Sequence, residues 1–150
     1  MTHVEVTGAA VPRFSRRDIA GFTRQVLKAV GKLGLLEEKI SEVSIAFVDD
    51  AAMTELNARF RKKKKTTDVL TFPADDSYSD PDQTGRPLGD IVISLDQSRR
   101  QAADEKHSLA TEIRYLILHG ILHALGYDHE TDDGEMNELE VEVRGMVGLG

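Results

Sequence analysis

From Leu109 to Leu125 the chain reads LATEIRYLILHGILHAL, and nearly every side of this segment is apolar. Ser108 stands where a helix N-cap is expected, with Glu112 in the first turn. Leu109, Ile113, Leu116, Ile117, Ile121 and Leu125 then recur at helical rather than strand spacing. A helix that is apolar all round cannot lie on a surface, so it is the central buried helix and the other elements wrap it. Gly126 ends it, because a residue without Cβ adopts the left-handed conformation that turns the chain back.

Within the longer stretch YLILHGILHALGYDH, Tyr115 to His129, lie three of the five histidines, His119, His123 and His129. Residues four apart on a helix share a face, separated by about 6 Å along the axis, so His119 and His123 point at one ion. The turn at Gly126 brings His129 round as a third ligand. Chance explains the trio poorly, since burying imidazoles without a shared partner costs about 1 to 3 kcal/mol for each unsatisfied polar group. Three neutral imidazoles with an open fourth position describe a catalytic zinc site rather than a closed structural one, with one Zn2+ per chain held at about 2.0 to 2.1 Å. The chain has no cysteine, so zinc must be held by His, Asp or Glu. His3 and His107 lie outside this stretch and are not expected to be ligands.

Length bounds the architecture: 150 residues suit one domain, 1–150, with room for a core. The N-terminal MTHVEVTGAAVPRFSRR has no apolar segment followed by a small-residue cleavage site, and no apolar run reaches the length needed to span a bilayer. A cytoplasmic protein without a membrane partner is expected. The net charge of −7 argues against a generic nucleic-acid binder, and DNA is not expected as a partner, but the average conceals an asymmetry. Arg59 and Arg61 to Lys65 place six positive charges in seven residues, while the chain after Gln101 is strongly acidic.

In chain order, His3 to Thr7 alternates as a short strand. Ser15 with Asp18 reads as a capping pair before a helix carrying Ile19, Phe22, Val26, Ala29, Val30 and Leu33, stopped by Gly34. Val43, Ile45 and Phe47 mark a second strand, and Asp49 or Asp50 caps a helix bearing Met53, Leu56 and Phe60 that runs into the basic cluster. Asp68 to Phe72 is a strand ended by Pro73, followed by a polar loop, DDSYSDPDQTGRP, rich in turn formers. Gly89 to Leu95 is the last strand, with Asp96 capping a polar helix. Asp132 with Glu135 resembles a capping box for a terminal helix whose stripe is Met136, Leu139, Val143 and Met146. The expected fold is α/β of the α+β type, a mixed sheet of about four strands packed by about five helices, with the zinc site at the C-terminal end of the buried central helix.

The histidine spacing is shared with the metzincin peptidases, but the position that carries the general-base glutamate in HExxH is Gly120 here. The segment instead matches HGxLHxxGYDH, and in this it resembles the YbeY family, zinc-dependent endoribonucleases of ribosomal RNA maturation. Ala124 stands where the family more often has leucine. LNARFRKKKKTTDVLTFP, Leu56 to Pro73, resembles the family's LNxxYRxxxxPTDVLSFP element, with Phe60 for tyrosine, Thr66 for proline and Thr71 for serine. LGDIVIS, Leu88 to Ser94, resembles its strand motif LGDIxIS.

The resemblance implies a four-stranded mixed sheet with the zinc site at the end of a core helix. It places Arg61 at the family's functionally important arginine, where a guanidinium forks two donors toward phosphate oxygens. Lys62 to Lys65 then form a less specific electrostatic funnel for the RNA backbone. Asp68 and Asp90 read as structural carboxylates or as carboxylates that orient metal-bound imidazoles. A zinc held by three histidines polarises a phosphoryl oxygen and lowers the pKa of its water to about 7. Either that water or the ribose 2′-hydroxyl is the nucleophile. Asp128 and Glu130 flank the third ligand as candidate proton acceptors, and Asp128 serves equally to orient an imidazole. The implied partners are single-stranded RNA and the small ribosomal subunit, because the narrow major groove of A-form RNA excludes side chains. Two rival readings stay open: a zinc metallopeptidase or other small-molecule hydrolase, and a non-catalytic ribosome-assembly factor with a structural zinc.

Overall fold

A computed structural model of the protein describes residues 2–36, 38–61, 67–74, 85–128 and 132–149, with Arg61 described by its backbone alone. Nine elements follow in order: β1 (His3–Gly8), α1 (Arg16–Lys32), β2 (Ile40–Val48), α2 (Asp50–Arg61), β3 (Val69–Pro73), β4 (Arg86–Ser94), α3 (Leu95–Glu105), α4 (Leu109–Ala124) and α5 (Glu135–Met146). The strands form one mixed sheet in the order β1-β2-β4-β3. β1, β2 and β4 are parallel, and β3 runs antiparallel along the β4 edge. The expected four strands and five helices are all present.

The pleat explains the layering. Alternate residues of a strand face opposite sides, so Val43, Ile45 and Phe47 of β2 and Ile91 and Ile93 of β4 join the main core with α1, α4 and α5. Leu70 of β3 and Val92 of β4 face the other way, onto Met53 and Leu56 of α2. α4 is the hub. Its Ile113, Leu116, Ile117, Leu118, Ile121 and Leu122 are all buried, each worth about 1.5 to 3 kcal/mol.

Gly120 is where α4 presses on the sheet. A Cβ there would stand 2.9 Å from Ile91 Cγ2, closer than packed carbons approach. A glutamate at this position would be driven into the sheet, so the base of the HExxH motif has no room here.

The caps are mostly as the residue types suggest. Ser15 accepts from Asp18 N (3.1 Å), Asp49 from Ala52 N (2.8 Å) and Ser108 from Thr111 N (3.1 Å). The last strand departs from expectation at both ends. It begins at Arg86 rather than Gly89, because Arg86 N donates to Lys39 O (2.9 Å) and the segment pairs with Ile40 and Glu42 across register shifts that accommodate Pro87. It ends at Ser94, whose hydroxyl caps α3 by accepting from Gln97 N (3.2 Å), so Leu95 is helical. Asp96 instead accepts from Asp50 N (3.0 Å), serving the neighbouring helix α2.

Pro73 falls inside β3, opposite Gly89, rather than after it. Gly134 occupies the N-cap of α5 with no side-chain cap, while Asp132 accepts from Gly134 N and Met136 N (both 2.9 Å) from further out along the chain. Met146 is 43% exposed and Phe60 58% exposed, so neither completes its expected buried stripe. Most of the polar loop, 75–84, lies outside the described residues, as do Lys62 to Thr66, His129 and Glu130.

Candidate active site

α4 ends in a Schellman turn: Gly126 N donates to His123 O (2.9 Å) and Tyr127 N to Leu122 O (3.1 Å), with Gly126 at φ +105°. Tyr127 packs against the core, which fixes the direction in which Asp128 leaves the helix. His119 and His123, in the last turns of α4, have ring centroids 4.5 Å apart in an edge-on arrangement. Both line an open cleft of about 620 Å³, together with Asp128, Phe60 at the end of α2, and the β3 segment from Thr67 to Pro73. That volume falls within the roughly 300–1,000 Å³ of small-ligand sites. The structure thus brings together His119, His123 and Asp128. His129 and the Arg61 side chain lie outside the described residues.

His119 is braced from behind by Glu140. Its Nδ1 donates to Glu140 Oε1 at 2.5 Å, and Glu140 is buried on α5. Arg144, one turn on, donates to the other carboxylate oxygen (3.3 Å), and its guanidinium lies 4.8 Å from the Tyr115 ring centroid. An ionised carboxylate only accepts, so it favours the tautomer with the proton on Nδ1, the one that leaves Nε2 free to ligate a metal. This is the outer half of a carboxylate–histidine–metal arrangement, which sets ring orientation and raises ligand basicity.

Glu140 was the residue that sequence reasoning missed, although a signal existed. It lies four residues after Met136 and three before Val143, on the buried stripe of α5, where an unpartnered carboxylate would be costly. The carboxylate bracing His119 is therefore neither Asp68 nor Asp90. Asp68 lines the same cleft, and its backbone carbonyl accepts from Ser94 N (2.9 Å). Asp90 is exposed on the sheet face that carries Val92, and lines a separate cleft with His3, Glu5 and Glu42. His107 has a different task at the start of α4, where its Nε2 meets the buried Glu112 at 2.6 Å.

The donor set fits a zinc ion in its chemistry: two imidazoles on one helix face, one with its tautomer fixed by a buried carboxylate. Among the described residues no group of three or more His, Asp or Glu forms a complete metal cluster. The third ligand expected, His129, is not among them.

An α/β fold whose paired histidines and two carboxylates, Asp68 and Asp128, line one open cleft defines a class of polar, metal-compatible site. Comparison with known proteins narrows it. A family model described as Endoribonuclease YbeY matches residues 9–147. The endoribonuclease YbeY of Nautilia profundicola is 48% identical over 115 residues, covering 77% of each chain. That of Desulfitobacterium hafniense is 40% identical over 147 residues, covering 93% of this chain and 92% of its own. The solution structure of TM1509 from Thermotoga maritima superposes with a TM-score of 0.61 at 25% identity, over 97% of this chain and 90% of that one. The chain belongs to the endoribonuclease YbeY family. Among the described residues no helix is long and apolar enough to cross a membrane.

Proposed function

We propose that the protein is a zinc-dependent endoribonuclease that cuts single-stranded RNA in the cytoplasm, acting in maturation of small-subunit ribosomal RNA near its 3′ end and in ribosome quality control. The observation that carries this reading is the braced pair: His119, held by Glu140, stands beside His123 in a cleft also lined by Phe60, which Arg61 to Lys65 follow in sequence. His119, His123 and His129 would hold the zinc. When bound, it supplies Lewis-acid polarisation of the phosphoryl group.

The chain's own residues do the remaining work. Arg61 directly follows Phe60 at the end of α2, and Phe60 lines the cleft. In the role that the family resemblance gives Arg61, its guanidinium forks onto the two non-bridging oxygens of the scissile phosphate and takes up charge that develops in the transition state. Lys62 to Lys65 hold the flanking backbone by charge alone. Asp128, on the cleft wall beside His123, handles the proton of the attacking hydroxyl or orients an imidazole. Water and the ribose 2′-hydroxyl are both compatible nucleophiles, and product-end analysis separates them: a 2′,3′-cyclic phosphate marks the ribose.

The peptidase reading is disfavoured by Gly120, which is packed on Ile91 and leaves no place for the glutamate base. Purified protein should cut single-stranded RNA and leave casein intact. Cells lacking it should accumulate small-subunit RNA with unprocessed 3′ ends. RNA cleavage alongside normal ends in such cells would keep the nuclease and remove the ribosomal assignment; no RNA cleavage at all would favour an assembly factor with a structural metal.

A further inference from the structure

We propose that Phe60 is a stacking platform for one unpaired base of the RNA substrate, beside the histidine site. This rests on the ribonuclease reading and adds a subsite to it. Phe60 occupies a position on α2 where helical spacing predicts burial alongside Met53 and Leu56, yet it is 58% exposed and belongs to neither core cluster. Single exposed apolar side chains are ordinary on protein surfaces, so exposure alone assigns nothing. Its setting does.

The ring lines the cleft that holds His119, His123 and Asp128. It meets Phe72 of β3 in a T-shaped pair, with centroids 5.1 Å apart and planes at 73°. A T-shaped contact of this kind orients the ring, and most of its surface stays exposed to solvent. The Arg59 guanidinium lies over the Phe60 ring, 5.7 Å from its centroid, where it can stack on a base bound beside the ring, and Arg61 to Lys65 follow directly in sequence. An exposed aromatic ring beside a guanidinium at a cleft is the pairing that single-strand binders use: charge follows the phosphates, and rings take the bases without regard to sequence. The same charge disfavours a cationic peptide. An unpaired base also fits better than a duplex, whose bases offer no free face.

The test is single-turnover cleavage of a set of single-stranded RNAs, each with one abasic position stepped across the cleavage site, by the parent, Phe60→Leu and Phe60→Trp. Phe60→Leu should raise the half-saturating concentration about 5- to 150-fold, the effect of one stacked base, with the saturated rate, zinc content and melting temperature close to the parent. Phe60→Trp should restore tight binding. One abasic position should weaken the parent by a similar factor and leave Phe60→Leu unaffected, because the two changes remove the same interaction.

Equal half-saturation for Phe60→Leu and the parent would overturn the proposal. So would a penalty for Phe60→Leu that persists unchanged at every abasic position, since Phe60 would then touch backbone or protein instead of a base. If the parent cuts none of the RNAs, the ribonuclease reading itself fails and the platform with it.

Discussion

The two walls of the cleft are built in opposite ways. The α4 wall rests on a helix buried through most of its length, and its His119 is braced by a buried carboxylate, itself held by Arg144. The opposite wall is the exposed end of α2 and the short edge strand β3, backed by the small cluster of Met53, Leu70 and Val92. One wall is pre-organised by the core. The other ends at the exposed Phe60, which Arg61 to Lys65 follow in sequence. Groups that do chemistry must be held to fractions of an ångström, whereas groups that gather a polyanion need only charge and reach. The comparison predicts that damage to the α4 wall lowers the rate and metal retention, and damage to the α2 wall lowers RNA affinity.

Arg61 is the sharpest challenge to that division, because it stands on the gathering wall with a role assigned to the transition state. Arg61→Ala should reduce the saturated cleavage rate by about 10²- to 10³-fold, the usual effect of removing one donor from developing charge, while zinc content stays the same. If only the half-saturating concentration changes, Arg61 is another member of the funnel and the division between the walls is stricter than proposed.

Glu140→Gln tests the braced wall. It keeps the shape and removes the charge, so it should weaken zinc retention about 10- to 100-fold, read by competition with a chelator. Nitrogen-15 spectra of His119 should lose the preference for a proton on Nδ1. Unchanged zinc affinity with an unchanged tautomer would reduce Glu140 to a packing residue.

The contrast between walls also explains what could be read in the chain. Helical spacing, Ser108 and Gly126 all belong to local physics, so α4, its cap and its Schellman turn were legible, and with them the pairing of His119 and His123. Glu140 was not, because its meaning comes from α5 lying against α4. Periodicity places it on a buried stripe but cannot say which imidazole it meets. Similarly, Pro87 and the turn formers before it read as loop until β2 supplies Ile40 and Glu42 as partners. Asp96 reads as its own helix's cap until Asp50 approaches from another element. Phe60 continues an apolar stripe in sequence and emerges at a cleft in space.

The smallest effect is expected from the lysines. Changing Lys62 to Lys65 together to glutamine should leave the saturated rate intact, weaken RNA binding at low salt, and flatten the slope of log affinity against log salt by about 3, at roughly 0.7 for each phosphate of a single strand that is no longer neutralised. A lowered saturated rate would place the lysines in the chemistry.

The central claim is that cleavage depends on a zinc ion held at the α4 wall. The direct measurement is RNA cleavage by chelator-stripped protein as zinc is added back, with zinc content determined at each point and His119→Ala carried in parallel. Cleavage should vanish on stripping and return in proportion to zinc, reaching its plateau at one ion per chain, while folded His119→Ala stays inactive throughout. Undiminished cleavage by fully stripped protein, or full activity in His119→Ala, would contradict the account.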